Sequence, residues 1–262
     1  MEPNIRFEDE RTGNRFTVSA CSGVGKRENQ QDSAYLYVND TLVYAVVCDG
    51  MGGLEGGAQA SATAVLSAQK TLKQQLEAQD TSPNWMADGI LHADSAVFSL
   101  KNKAGESLGA GSTFVSAYII GDQMFWASVG DSRIYLFHGH ECVQITTDLN
   151  YSLVLQAQRT AGEISETEYQ REMTIGEALT SFVGMGCVEV IDRNLKPLHV
   201  KRGDIILLCS DGLYRTIDVD WMKDILSICS TLDEACETIR EIITTQDKAA
   251  QDNFTCIIIQ IN

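Results

Sequence analysis

Val43-Tyr44-Ala45-Val46-Val47-Cys48-Asp49-Gly50-Met51-Gly52-Gly53 is the stretch on which the fold turns. Six apolar residues without polar alternation predict a strand buried on both faces. The strand ends on a carboxylate and a glycine run that extends to Gly56-Gly57. From Ala58 to about Ala78 the apolar residues recur at helical spacing. Strand, glycine cluster and helix in this order also describe a dinucleotide-binding turn. Here, however, the spacing is G-x-G-G-x-x-G-G, with Glu55 where the third fingerprint glycine belongs, and no Gly-Lys-Ser/Thr follows. The glycines are expected to let the backbone approach an ion or a phosphate, with the Gly50 carbonyl available as a ligand.

Working outward, strands are expected at 16–21, 33–38 and 42–48, the last two joined by a turn at Asn39-Asp40. A second helix is expected from Asn84 to Lys103, with Ser82-Pro83 at its start. A meander of strands at 112–120, 123–129, 133–137 and 142–146 turns at Gly121-Asp122, Gly130-Asp131-Ser132 and Gly139-His140. Residues 148–187 are polar, rich in Gln and Glu and weakly helical, and read as an insertion over one end of a single domain spanning 1–262. Strands resume at 188–192 and 204–210, helices follow at about 219–229 and 231–246, and Phe254–Ile261 closes the chain as a strand. Strand runs interleaved with helix pairs predict an α+β fold of antiparallel sheets covered by helices.

With 262 residues, 44% of them apolar and 21% charged, the chain has enough material for a sizeable core and is not a disordered chain. Its 36 acidic and 20 basic residues give a net charge of −16, which argues against binding to nucleic-acid backbones. No segment is long and apolar enough for a membrane span, and Met1–Arg6 has no signal-peptide character. The eight cysteines contain no C-x-x-C and no zinc spacing with histidine. They read as small buried hydrophobes in a reducing, cytoplasmic setting.

Four acidic residues share one context. Asp49 and Asp211 each end a buried strand and precede a glycine, Asp252 opens the final strand, and Asp131 lies between two strands; Asp32 stands just before Ser33. A single such residue is ordinarily a turn former. Five of them, if their strand ends converge, form a charge cluster that requires cations, and oxygen-only ligands favour Mg²⁺ or Mn²⁺ over zinc. Two such ions would arm a hydroxide for in-line attack on a phosphoryl group. Arg27, five residues before Asp32, has a side chain suited to bidentate contact with a phosphate. Ser112 and Thr113 have no histidine partner and read as strand residues, and the four histidines form no constellation.

Arg27-Glu28-Asn29-Gln30-Gln31-Asp32-Ser33, Asp49-Gly50-Met51-Gly52-Gly53, Gly111-Ser112-Thr113, Gly130-Asp131-Ser132-Arg133, Ser210-Asp211-Gly212-Leu213 and Asp252-Asn253-Phe254-Thr255 follow one another in this order. Through these six motifs the chain resembles the metal-dependent Ser/Thr protein phosphatases (PPM, type 2C), and most of all their bacterial branch, over about residues 16–261. The resemblance implies two stacked antiparallel β-sheets flanked by helix pairs, with a metal cleft at one end. It implies two Mn²⁺ or Mg²⁺ ions, with Asp49 bridging them, the Gly50 carbonyl on one, and Asp211 and Asp252 on the other. A third, weaker ion would sit at Asp131. Asp32 would orient metal-bound water and Arg27 would hold the substrate phosphate. Residues 148–187 would be a flap, and the substrates would be phosphoserine and phosphothreonine proteins, products of a Ser/Thr kinase, met by a monomer.

Three positions depart from the family pattern. Gln31 stands where many members have Glu, and Met51 where eukaryotic members have the His that protonates the leaving group. Thr147-Asp148-Leu149 lacks a His common after that Asp. No general acid is therefore assigned. The rival expectation is a noncatalytic scaffold that binds a partner through the flap, although a scaffold has no need of Asp32, Asp49, Asp211 and Asp252 together.

Overall fold

The computed structural model describes residues 4–78, 84–246 and 251–262. Strands β1 (Ile5–Asp9), β2 (Phe16–Gly23), β3 (Asp32–Val38) and β4 (Leu42–Met51) precede helices α1 (Gly53–Ala78) and α2 (Asn84–Phe98). Then come β5 (Gly111–Ser112), β6 (Phe114–Ile120), β7 (Gln123–Val129), β8 (Arg133–His138) and β9 (Glu141–Gln144). Helices α3 (Tyr151–Ala161) and α4 (Glu166–Glu172) with a 3-10 turn at Met173–Ile175 lead to the short strands β10 (Asp192–Arg193) and β11 (Leu198–His199). Strand β12 (Ile205–Cys209), helices α5 (Asp211–Tyr214), α6 (Val219–Ile228) and α7 (Leu232–Thr245) and strand β13 (Phe254–Ile261) complete the chain.

The strands form two sheets. One runs β1-β3-β4-β6-β7-β10, with β5 on β4 and β11 on β7; the other runs β2-β13-β12-β8-β9. Every pairing is antiparallel except β1 with β3, a parallel departure from the expected all-antiparallel sheets. The β4 run is apolar throughout because it is buried on both sides. Tyr44, Val46 and Cys48 lie under α1 and α2, while Val43, Ala45 and Val47 face the second sheet. Strand β13 repeats the pattern, with Ile257 and Ile259 toward the first sheet and Cys256 and Ile258 toward α5, α6 and α7. The result is helix pair, sheet, sheet, helix pair, as expected.

Several boundaries differ from expectation. The first helix begins at Gly53 rather than Ala58, and α2 stops at Phe98 rather than Lys103; Ser82-Pro83 lies outside the described residues. The strand expected at 188–192 is only the two-residue β10, because residues 184–191 serve as connection. Residues 148–187 are more ordered than their composition suggested. Asn150 caps α3, and Ser165 with Glu168 forms a capping box on α4. The segment is tied down at both ends, by Leu149 N–H to the Gly130 carbonyl (2.8 Å) and by paired backbone bonds between Val183 and Ser112 (2.9 Å). Among the described residues, no helix is long and apolar enough to cross a membrane.

The glycine run has a packing reason that precedes any ligand. A Cβ at Gly50 would lie 2.0 Å from the Gly57 carbonyl oxygen and 2.6 Å from that of Gln31. The end of β4 thus presses backbone to backbone against the first turn of α1 and the approach to β3. Gly50→Ala should therefore cost about 3 kcal/mol, the upper end for overpacking against atoms that cannot rotate away. Gly139→Ala, in a turn with open space around it, should cost only about 1 kcal/mol for its left-handed backbone. Urea unfolding of both variants checks this; equal losses would show that β4 and α1 do not meet tightly at Gly50.

Candidate active site

Strand register brings the acidic residues to one end of the sandwich. Asp32 opens β3 directly opposite Asp49 near the end of β4. In the other sheet Cys209 pairs with Cys256, so Asp211 leaves β12 beside the residues that enter β13. A Cβ on Gly212 would lie 2.0 Å from the Asn253 carbonyl oxygen, which fixes the close approach of the two segments. Asp131 sits in the turn from β7 to β8, where the chain crosses from one sheet to the other. Together Arg27, Asp49, Gly50, Asp131, Asp211 and Asp252 line a cavity of about 530 Å³, with Gln31, Met51, Thr113, Glu177 and Arg215 among its other walls. Asp32 does not line it but lies buried beneath.

The Asp49 peptide and the Asp32 carboxylate are held from behind. Thr113 Oγ1 accepts the Asp49 N–H (2.8 Å), and Thr113 N–H and Ser112 Oγ both donate to the Asp49 carbonyl (2.8 and 2.9 Å). Ser112 and Thr113 are thus more than the plain strand residues their sequence suggested. Ser210 Oγ donates to Asp32 Oδ2 (2.7 Å) and accepts the Thr255 N–H (3.0 Å). Asn253 Oδ1 accepts the Gln31 N–H (2.8 Å), and the Gln31 amide donates to the Gly53 carbonyl (2.7 Å). A glutamate at position 31 has no donor for that second bond.

The cluster is under electrostatic stress. Burial, then the charges of Asp32, Asp211, Asp131 and Asp252, push Asp49 well above the usual carboxylate range. Burial lifts Asp32 to about 7 despite the Ser210 hydrogen bond, and lifts Asp131 to about 6, with the Asp211 charge adding and Arg215 opposing. Burial also raises Asp211, against the pull of Arg215, with the Asp252 charge adding.

Two arginines answer part of this charge. Arg27 Nη2 pairs with Asp252 Oδ2 (2.7 Å) from an exposed position. Arg215, which the sequence reading passed over, reaches Asp211 Oδ2 (3.0 Å), Glu177 Oε2 (2.7 Å) and Asp131 Oδ2 (3.7 Å). Its signal in the sequence was a cation four residues after Asp211 on a helical turn. With these guanidinium groups interposed, no three carboxylates gather their oxygens within 4.8 Å of one another among the described residues.

The donor set nevertheless suits hard divalent cations. It consists of carboxylate and carbonyl oxygens, and buried Asp211 Oδ1 and Asp32 Oδ1 have no hydrogen-bond partner. Carboxylates here outnumber arginines, and added cations would relieve both the repulsion and the orphaned oxygens.

A pH dependence follows for the metal-free chain. The contribution of Asp131 is complete below 3.8 and is lost as pH rises through about 6. Asp131→Asn should therefore gain on the parent by roughly 1–2 kcal/mol between about pH 4.5 and about pH 7.5. Thermal melts in chelator check this, and an advantage that does not grow with pH would contradict it.

Known proteins resemble this chain in sequence and fold. A profile of the family Protein phosphatase 2C matches residues 22–249. Serine/threonine phosphatase stp of Listeria monocytogenes is 31% identical over 238 residues, spanning 89% of this chain and 91% of that protein. Protein phosphatase PhpP of Streptococcus pneumoniae is 29% identical over 251 residues, spanning 94% and 97%. Among solved structures, the S. agalactiae serine/threonine phosphatase superposes with a TM-score of 0.75 at 23% identity, covering 94% of this chain and all of that one. The catalytic domain of PstP in complex with two manganese ions superposes at 0.69 and 23% identity, covering 94% and 97%. With its six motifs in order, its sandwich and its acidic cavity, the chain belongs to the protein phosphatase 2C family.

Proposed function

We propose that the chain hydrolyses phosphoserine and phosphothreonine in proteins at the Asp49 cavity, with two Mn²⁺ or Mg²⁺ ions as cofactors. The observation that carries this reading is the convergence of Asp49, Asp131, Asp211 and Asp252, from four separate places in the chain, on one open cavity. Asp49 and the Gly50 carbonyl would hold one ion, and Asp49, Asp211 and Asp252 the other, with Asp131 at a weaker third. Such ions, when bound, lower the pKa of coordinated water and neutralise phosphoryl oxygens. The two manganese ions of the PstP complex support the count.

The chain's own residues have definable tasks. Ser112 and Thr113 fix the Asp49 peptide, so its carboxylate enters the cavity from a rigid strand end. Asp32, lifted to about 7 and held by Ser210 beneath the cavity, would orient water and hold a proton. Among the described residues the Arg27 side chain is tethered to Asp252; once that carboxylate is engaged elsewhere, its planar fork is available to a phosphate. Residues 148–187, which contribute Glu177 and Leu179 to the cavity wall, act as the flap on one domain spanning 1–262. The substrates would be products of a Ser/Thr kinase, met by a monomer in the cytoplasm.

Turnover of a chromogenic phosphate ester and of a phosphothreonine peptide should appear on Mn²⁺ addition. Asp49→Asn and Asp211→Asn should lower kcat by roughly 10³-fold or more with the circular dichroism unchanged. Arg27→Ala should act mainly on KM for the peptide. Absence of turnover at saturating Mn²⁺, or near-parent rates in either aspartate variant, would overturn the assignment and favour a noncatalytic scaffold.

A further inference from the structure

The tightest cluster of metal-ligating atoms among the described residues is on the far side of the second sheet from the acidic cavity. Cys21 on β2, Cys256 on β13 and Cys236 on α7 bring their sulfurs within 4.8 Å of one another. Cys21 and Cys256 are direct cross-strand partners, with Sγ atoms 3.4 Å apart. Cys236 approaches from the covering helix, and all three are buried, at 0%, 0% and 4% exposure. Their sequence separations hid the cluster, since no short cysteine motif contains two of them.

Hydrophobic burial accounts for one cysteine at a time. It gives no reason for three sulfurs from three elements to meet at a point, when Phe254, Ile258, Ala235 and Ile239 fill the neighbouring positions of the same layer. Three sulfurs on one ion, at a bond length of about 2.3 Å, stand about 4 Å apart, close to the spacing present. Structural zinc takes four ligands, and no fourth His, Cys, Asp or Glu joins the group among the described residues. Three soft sulfurs alone match a soft monovalent ion. We propose that Cys21, Cys236 and Cys256 form a trigonal three-thiolate site for copper(I), clasping α7 to the β2–β13 ladder.

One positive charge stands near the sulfurs. Arg240, one turn further along α7, donates to the Ser22 carbonyl (3.2 Å) beside Cys21 and keeps a positive charge at the edge of the cluster. On binding, each S–Cu bond forms as any remaining S–H proton leaves to solvent, and no electron changes hands. This site stands apart from the proposed phosphatase chemistry and does not depend on it.

The test uses the full chain, reduced and anaerobic, with Cys142, Cys187 and Cys229 replaced by Ser to remove the more accessible thiols. Copper(I) is supplied from a chromogenic chelator of known affinity. One equivalent per chain should be retained, with three sulfur neighbours in X-ray absorption. The melting temperature should rise by about 5 °C or more at a hundredfold excess over the dissociation constant. Cys236→Ser should weaken binding roughly 100-fold or more, the loss expected when one of three soft ligands is removed. Cys48→Ala, buried in the first sheet, should leave it unchanged. Loss of the copper to the chelator, an affinity indifferent to Cys236→Ser, or two or fewer sulfur neighbours would overturn the site. Zn²⁺ held more tightly than copper(I), with four ligands, would overturn the trigonal assignment. Should Cys236→Ser fail to fold, the sulfur count in the parent decides the matter.

Discussion

Mutual repulsion of carboxylates buried at one end of two stacked sheets is the constraint around which the rest of the molecule is arranged. Asp32, Asp49, Asp131 and Asp211 are each pushed upward in pKa, with burial as the largest cause and neighbouring carboxylate charges adding to it. A protein tolerates such a cluster only where something offsets it. Here the offset is distributed among Arg215 inside the cavity, Arg27 at its rim, and the Ser210 hydroxyl behind Asp32. The remaining deficit of positive charge is the ground for proposing that this end takes up hard cations, and through them a dianionic phosphate.

Rigidity elsewhere makes the cluster possible. Strands β4 and β13 are apolar on both faces, so a slip of one residue would move each strand's apolar set with no polar face to expose. Register is instead pinned at the strand ends, by the Gly50–Gly57 and Gly212–Asn253 contacts, where no side chain fits. The residues that fix the ladders are therefore immediate neighbours of those that carry the charge.

How much of this was legible in the sequence follows from where the information lay. Continuous apolar runs at 42–48 and 254–261 revealed their strands, and through them the placement of Asp49 and Asp252 at strand ends. The helices at 219–229 and 231–246 were found nearly to the residue; in the structure Asp218 and Thr231 cap them. Strand β1 was missed: Ile5–Asp9 is partly exposed and charged, and it is a strand only because it pairs in parallel with β3. Arg215 was missed because its partners Asp131 and Glu177 are remote in sequence. The thiol cluster was invisible for the same reason, since Cys21 and Cys256 meet only after the whole chain has folded between them.

The stretch between Asp148 and Cys187 is anchored at its ends by backbone hydrogen bonds, but near the cavity it is held by the Arg215–Glu177 ion pair, whose carboxylate is 76% exposed. An exposed pair of this kind weakens as the Debye length shrinks, from about 10 Å at 0.1 M salt to about 3 Å at 1 M. Ionic strength therefore acts as a dial on the cavity mouth, loosening its rim while the apolar layers that position the aspartates stay indifferent to dissolved electrolyte.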